Sequence, residues 1–257
     1  MKIVFFTTIS KKLISSICII ITMLIIISSF LLSKFVISVN QVEKNYLPIY
    51  SVETNEKKVA ITFDSTWGIN NTNEILNILD KEGIKATFFL LGKWVDEFPE
   101  EAKEIYKRGN EIGNHSDSHP SMSNISVERL IKEITLGDEK LKKLTGRSTK
   151  LFRFPSGEYN KNLVQVVEGT KHIAIQWDVD SIDWKEQGAE IEFNRVIKNV
   201  KPGSIILFHN GTKYTTETLP KIIEKLKKEG YSFVTVSELI YKENYSIDNR
   251  GVQKLNN

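Results

Sequence analysis

Between residues 59 and 236, short apolar runs of strand type alternate with amphipathic helical stretches, and no other feature of this 257-residue chain restricts its fold as much. The strand-type runs are 59–63, 86–91, 111–113, 151–154, 173–178, 204–208 and 233–236; helical patterns occupy 73–81, 99–107, 126–144, 189–200 and 219–228. Ile75, Ile78 and Leu79 share a face of the first helix, and Leu130, Ile134, Leu141 and Leu144 a face of the third. Gly83, Gly109 and Gly146 stand where helices should stop. Strands alternating with helices predict a mostly parallel sheet. About seven such units in roughly 180 residues predict a small β/α barrel that need not be complete.

Residues 13–32 read LISSICIIITMLIIISSFLL, with no charge among them. A helix of that length is about 30 Å long and matches a bilayer core. Lys2, Lys11 and Lys12 precede it and Lys34 alone follows closely. The positive-inside tendency then predicts a cytoplasmic N-terminus (1–12), a transmembrane signal-anchor (13–32) and everything beyond it outside the membrane. A cleaved signal peptide is the rival expectation; its apolar region would run about 7–15 residues to a small-residue site, which SSFLLSKF does not offer. Residues 33–57 read as a stalk, 58–241 as one folded domain and 242–257 as a polar, frayed tail.

The chain carries 35 basic and 32 acidic side chains, but residues 1–58 hold seven lysines and three glutamates, leaving 28 positive and 29 negative groups for the rest. The domain therefore lacks the basic excess of a nucleic-acid binder. One cysteine, Cys18, excludes an intramolecular disulfide framework and a cysteine-cluster zinc site. A monomer is expected.

In a β/α barrel, chemistry sits at the C-terminal ends of strands. Asp64 follows VAITF, His115 and His119 follow EIGN, and Arg153 ends the LF strand. Asp178, Asp180 and Asp183 follow IAIQW, and His209 follows SIILF. Two histidines four apart in GNHSDSHP chelate a divalent metal if the turn brings them together; otherwise they are a wet surface pair. His209 suits a general acid or a satisfied core histidine. Asp64 reads equally as a loop cap, unless Arg153 lies near it and holds the carboxylate ionised. A carboxylate of DVDSIDW bonded to the His209 ring would raise its basicity. Trp67, Trp177 and Trp184 are core residues by default, or sugar-stacking platforms at a cleft edge. His172, in a polar loop, reads as structural.

The five segments TFDSTWG, HSDSH, RFPSG, DSIDW and LFH, in this order, resemble the motifs of the NodB-homology polysaccharide deacetylases (carbohydrate esterase family 4) over residues 58–240. The resemblance implies a distorted β/α barrel and hydrolysis of N-acetyl groups on an amino-sugar polymer, at a carbon–nitrogen bond that is not a peptide bond. It places the general base on Asp64, a divalent metal (Zn²⁺ or Co²⁺) on His115 and His119, and a base-positioning role on Arg153. It further implies an oxyanion donor at the backbone N–H of Ser156 and a general acid at His209. The carboxylate supporting that histidine falls on Asp183, with Asp180 second. Trp67 and Trp184 are the expected substrate contacts. An anchored, extracytoplasmic catalyst would meet cell-wall glycan, so peptidoglycan is the first expected substrate and a chitin-like polymer the second. The form FD-x-x-WG with an anchor is similar to a sporulation-associated branch.

One position departs from the pattern. Ser65 stands where the family usually has an aspartate that completes an Asp-His-His metal site, and a neutral hydroxyl is a poor ligand for Zn²⁺. The rival expectation is accordingly a glycan-binding pseudoenzyme. A third reading, a glycosidase using the DVDSIDW carboxylates, leaves both metal-type histidines idle.

Overall fold

The computed structural model describes residues 11–39, 46–66, 68 and 71–256. The chain divides into two compact units, 1–44 and 45–257. In the first, α1 (Lys11–Val39) is a single helix of 29 residues. Thr22 and Ser29 donate their hydroxyls to the carbonyls of Cys18 (2.6 Å) and Ile25 (2.8 Å). These two hydroxyls are thereby satisfied by the helix itself. Among the described residues no helix is long and apolar enough to cross a membrane, so the anchor expected over 13–32 rests on the sequence pattern. Residues 1–10 and 40–45, which hold parts of the expected cytoplasmic N-terminus and stalk, lie outside the described residues.

The second unit opens with β1 (Ser51–Val52), β2 (Lys58–Ser65), α2 (Thr72–Glu82), β3 (Thr87–Leu90), α3 (Gly92–Glu97), α4 (Pro99–Lys107) and β4 (Glu111–Asn114). It continues through α5 (Val127–Thr145), β5 (Leu151–Phe152), α6 (Lys161–Gly169), β6 (Ile173–Ala174), β7 (Val179–Asp180), α7 (Ala189–Asn199) and β8 (Ile205–His209). Then come α8 (Thr215–Lys228), β9 (Ser232–Phe233), α9 (Val236–Leu239), β10 (Tyr245–Ile247) and β11 (Val252–Leu255). Seven strands lie in the order β6-β5-β4-β3-β2-β8-β7, with β9 also on β2. Every pairing in this sheet is parallel.

Side-chain alternation along β2 places the core and the site at once. Val59, Ile61 and Phe63 pack outward with Ile75 and Leu79 of α2 and Leu219 and Ile222 of α8. Ala60 belongs instead to an inner cluster with Phe89, Leu151 and Ile205, and Thr62 and Asp64 follow it on that inner face. Phe63 stacks on Phe88 with ring centroids 4.8 Å apart; burying such a side chain contributes about 1.5–3 kcal/mol. Ser126 caps α5 by accepting the Arg129 N–H at 3.2 Å, and Gly146, at φ 72°, ends it in the left-handed region that glycine enters without steric cost.

The run 173–178, expected as one strand, is strand only at its start: Ile173 and Ala174 pair with β5, and β7 (Val179–Asp180), just beyond the run, pairs with β8 at the opposite edge of the sheet. The barrel is therefore open between β6 and β7. Ile49 lies at this seam, donating its N–H to Ala174 O (2.8 Å) and accepting the Gln176 N–H (2.7 Å).

Three further expectations are corrected. The run 233–236 is not a strand throughout: only Ser232–Phe233 pair, and Val236 begins α9 behind a Thr235–Glu238 capping box. The frayed tail expected over 242–257 contains β10 and β11, which build a three-stranded sheet with β1. Consequently the domain begins before residue 58, for Ile49 and Val52 are buried in its core. The last two share a cause: β1 pairs with β11 from the far end of the domain, and the β10–β11 hairpin is short and largely polar, so neither leaves an apolar period to read.

Candidate active site

The inner face of β2 ends on Asp64, which is almost wholly buried. Arg153, with no exposed surface, donates from Nη1 to Asp64 Oδ1 (2.7 Å) and Thr62 Oγ1 (2.8 Å), and from Nη2 to Gln176 O (3.2 Å). Its guanidinium lies 4.0 Å from the centroid of the Phe89 ring. Burial raises the Asp64 pKa, but the charges of Arg153, His115 and His209 and the Arg153 hydrogen bond outweigh it and hold the carboxyl below its usual range.

Arg153 serves the next wall through its backbone. Its carbonyl lies 2.9 Å from His115 Nδ1; a ring N–H there leaves Nε2 as a bare lone pair, and Nε2 stands 3.6 Å from Asp64 Oδ2. Burial, only partly opposed by Asp64, pushes the His115 pKa down to about 4, so the ring is neutral at ordinary pH. Burial likewise lowers His119. The two rings sit with centroids 5.2 Å apart at 70°. Ser116 and His119 both adopt positive φ (69° and 55°), a strain of order 1–3 kcal/mol per residue that surrounding bonds must over-determine.

Glu133, which the sequence reading missed, supplies those bonds. It accepts the N–H groups of Asp117 (3.1 Å) and Ser118 (2.7 Å) and the Ser118 hydroxyl (2.8 Å). Glu158, from the other side, accepts Ser121 Oγ (3.1 Å), Met122 N–H (3.2 Å) and Ser123 Oγ (2.9 Å). A signal for Glu133 existed: it lies three and one positions from Leu130 and Ile134 on a buried face of α5, where an acid needs partners.

The opposite wall is β8, where His209 is the register partner of Asp64. Asp183 takes the His209 ring at Nδ1 (2.8 Å) and its backbone N–H (2.6 Å). Burial alone would lower the His209 pKa; the bond and charge of Asp183, with Asp64 and Asp180 behind, raise it above its ordinary value. Of the two aspartates left open by sequence, Asp183 is thus the partner of His209. Asp180 instead accepts the Ile182 N–H (2.8 Å) and braces a turn in which Ile182 has φ 56°. Asp178 lies outside this constellation, bonded to Ile205 N (3.0 Å) and Ser204 Oγ (3.0 Å).

Asp64, Thr66, His115, His119, Ser156, Trp177, Asp180, Trp184, Leu207 and His209 line a pocket of about 340 Å³. Ser156 has φ 55° inside the tight turn Pro155–Gly157. Trp184 is 56% exposed at the rim; Trp67 lies outside the described residues. Another depression of about 350 Å³ runs along α7 and α8, lined by Phe193 and surface charges such as Glu217 and Lys221; it gathers none of the strand-end residues.

The donor set suits a divalent ion held by two imidazoles. His115 has the neutral ring and fixed tautomer that a ligand needs. Ser65 adds no charge, and although its Oγ is buried without a hydrogen-bond partner, it is not among the residues lining the pocket. Among the described residues no group of three or more His, Cys, Asp or Glu is placed to hold a metal.

Residues 51–173 match the polysaccharide deacetylase family, a span that stops short of Asp183 and His209. The chain is 38% identical to a peptidoglycan-N-acetylglucosamine deacetylase of Bacillus cereus, over 74% of this chain and 92% of the relative. It is 35% identical to the uncharacterized protein YlxY of Bacillus subtilis over 75% of this chain, but spans only 60% of YlxY. Among solved structures, that of BA3943 from Bacillus anthracis, described as a CE4 family pseudoenzyme, is 36% identical with TM-score 0.73, covering 76% of this chain and 69% of that one.

Proposed function

This chain belongs to the polysaccharide deacetylase family, and on that premise we propose that it hydrolyses N-acetyl groups of an amino-sugar polymer, first of all cell-wall peptidoglycan, and a chitin-like polymer second. One observation carries the reading: an ionised Asp64 and a basic His209 face one pocket, with a pair of imidazoles between strands β4 and β5 beside them.

Asp64, aimed by Arg153 at Oδ1, takes a proton from the attacking water on Oδ2. Water oxygen bonds to the acetamide carbon, and the Ser156 N–H donates to the oxyanion, a contribution of about 3–4 kcal/mol for one well-placed donor. Nδ1 of His209 is committed to Asp183, so Nε2 delivers the proton to the nitrogen as the carbon–nitrogen bond breaks, leaving acetate and a free amine. His115 and His119 would hold a divalent ion, Zn²⁺ or Co²⁺, whose chemistry there is charge stabilisation at the acetamide oxygen. Trp184, exposed at the rim, would stack on a sugar face.

The uncharged run 13–32 supports a single-pass anchor with the catalytic domain outside the cell membrane, where the glycan lies. The anchor and the FD-x-x-WG form support use during sporulation, and nothing in the charge pattern calls for a nucleic acid. Acetate release from N-acetylated peptidoglycan, with Zn²⁺ or Co²⁺ added, tests the activity: Asp64→Asn and His209→Ala should each lose about 10²–10⁴-fold, and wild-type rates in either would end the mechanism. A second reading, a glycan-binding pseudoenzyme, has Ser65 in its favour. It predicts tight glycan binding and no acetate release at any metal concentration.

A further inference from the structure

Behind the His115–His119 turn runs a chain of polar groups that the mechanism above does not use. Asn114, the last residue of β4, has no exposed surface. Its Oδ1 accepts the Ser116 N–H at 2.7 Å, and Ser116 Oγ in turn accepts the His119 N–H at 3.1 Å. From its other edge, Asn114 Nδ2 donates to Ile134 O (2.9 Å) and to Asp138 Oδ1 (2.8 Å), both on α5. The same Asp138 oxygen accepts from Nε2 of the buried His172 ring at 3.2 Å, and Nδ1 of that ring lies 3.0 Å from Thr170 Oγ1.

The NH2 edge of an amide only donates and its oxygen only accepts. Ile134 O and the Asp138 carboxylate are both acceptors, so they hold the Asn114 NH2 toward α5 and thereby turn Oδ1 toward Ser116. A flipped amide would set its oxygen against two acceptors and its NH2 against the Ser116 N–H. The helix also leaves room for the amide. A Cβ at Gly137 would stand 2.7 Å from Asn114 Oδ1 and 2.9 Å from Nδ2, closer than unbonded atoms approach. Alanine would favour a helix interior over glycine; here the space a side chain would take is filled by Asn114.

We propose that Asn114 is a positioning residue for the metal-holding pair. Clamped from α5 by Ile134 O and by an Asp138 oxygen that His172 shares, its amide holds Ser116 and His119 at the positive φ angles, 69° and 55°, that turn both imidazoles into one pocket. The inference rests on the reading of His115 and His119 as metal ligands and extends their support to α5 and to the loop before β6. Glu133 braces the same turn at other N–H groups, those of Asp117 and Ser118.

The test follows Co²⁺ binding to the full-length chain in detergent by calorimetry, without substrate. A chain that binds Co²⁺ but releases no acetate would end the deacetylase reading and leave this one standing. Asn114→Leu should weaken Co²⁺ binding by about 10–100-fold, as loss of a ligand-orienting partner does. Gly137→Ala, which drives a methyl group into the amide from the helix side, should weaken it in the same sense, and carries the test if Asn114→Leu does not fold. Asp138→Leu should also weaken binding, whereas Asp138→Asn should restore it. One amide oxygen still accepts from both Asn114 and His172, and the side chain, 27% exposed, can turn its NH2 to solvent. In metal-free NMR spectra the ring signals of His115 and His119 should move in Gly137→Ala while that of His209, on the far wall, stays in place. No Co²⁺ binding by the wild-type chain, wild-type affinity in Gly137→Ala, equal losses in the two Asp138 variants, or a His209 signal that moves with the others would overturn the proposal.

Discussion

His115 and His209 sit on opposite walls of one pocket and are driven to opposite proton affinities. His115 is buried against a carbonyl, that of Arg153, and its pKa is pushed down to about 4. His209 is less deeply buried, its ring bonds to a carboxylate, and its pKa is raised. The same side chain becomes a neutral donor of a lone pair in one place and a proton carrier in the other. What differs is the charge of the group at Nδ1. A carbonyl orients the ring and favours its cation too weakly to offset burial; a carboxylate adds a full negative charge and does offset it.

The contrast can be broken most severely at its ends. His209→Ala should lower acetate release by about 10²–10⁴-fold while leaving metal binding, read by calorimetry, in place. His115→Ala should abolish metal binding and leave the His209 titration where it was. Should His209→Ala also lose the metal, the two walls are not separable in the way described.

Asp183→Asn should have the next largest effect. The raised pKa of His209 means that its bond with Asp183 stabilises the fold fully below the unfolded histidine pKa of about 6.5, and that this stabilisation disappears as pH climbs through the higher folded value. The variant should therefore be less stable than wild type at acid pH, with the gap in melting temperature closing toward alkaline pH. Its activity should also fall away at lower pH. Superposable alkaline limbs would break the contrast.

Glu133→Gln sharpens the other wall. The Asp117 and Ser118 N–H groups share Oε2 while Ser118 Oγ and Arg129 Nε bond at Oε1, so the amide either strands both N–H groups or turns its own donors on Arg129, at about 1–3 kcal/mol. Thermal unfolding should report the loss, and metal affinity should weaken as the strained Ser116 and His119 turns relax. Trp184→Ala, at an exposed rim, should do least, raising KM for polymer while the melting temperature holds.

The parts legible in the chain are those with a local period or a residue type at a strand end. β2, α2 and α5 were readable because apolar spacing repeats within each, and Asp64, His115, Arg153 and His209 because each follows such a run. The break between β6 and β7 was not: 173–178 reads as one strand-type run, and only the neighbouring strands tell that Ile173–Ala174 pair with β5 and that the chain then crosses so that Val179–Asp180 pair with β8. β10 and β11 escaped notice because main-chain groups carry the pairing of β11 with β1 and with β10.

Residue order alone thus settled which side chains stand at the carboxyl ends of the strands, since alternation along a strand is covalent geometry. Folding decided which of them share a proton. Arg153 reaches Asp64 across 89 positions and Asp183 reaches His209 across 26. A proton's affinity depends on charges and donors within a few ångströms, a distance that no count along the chain measures.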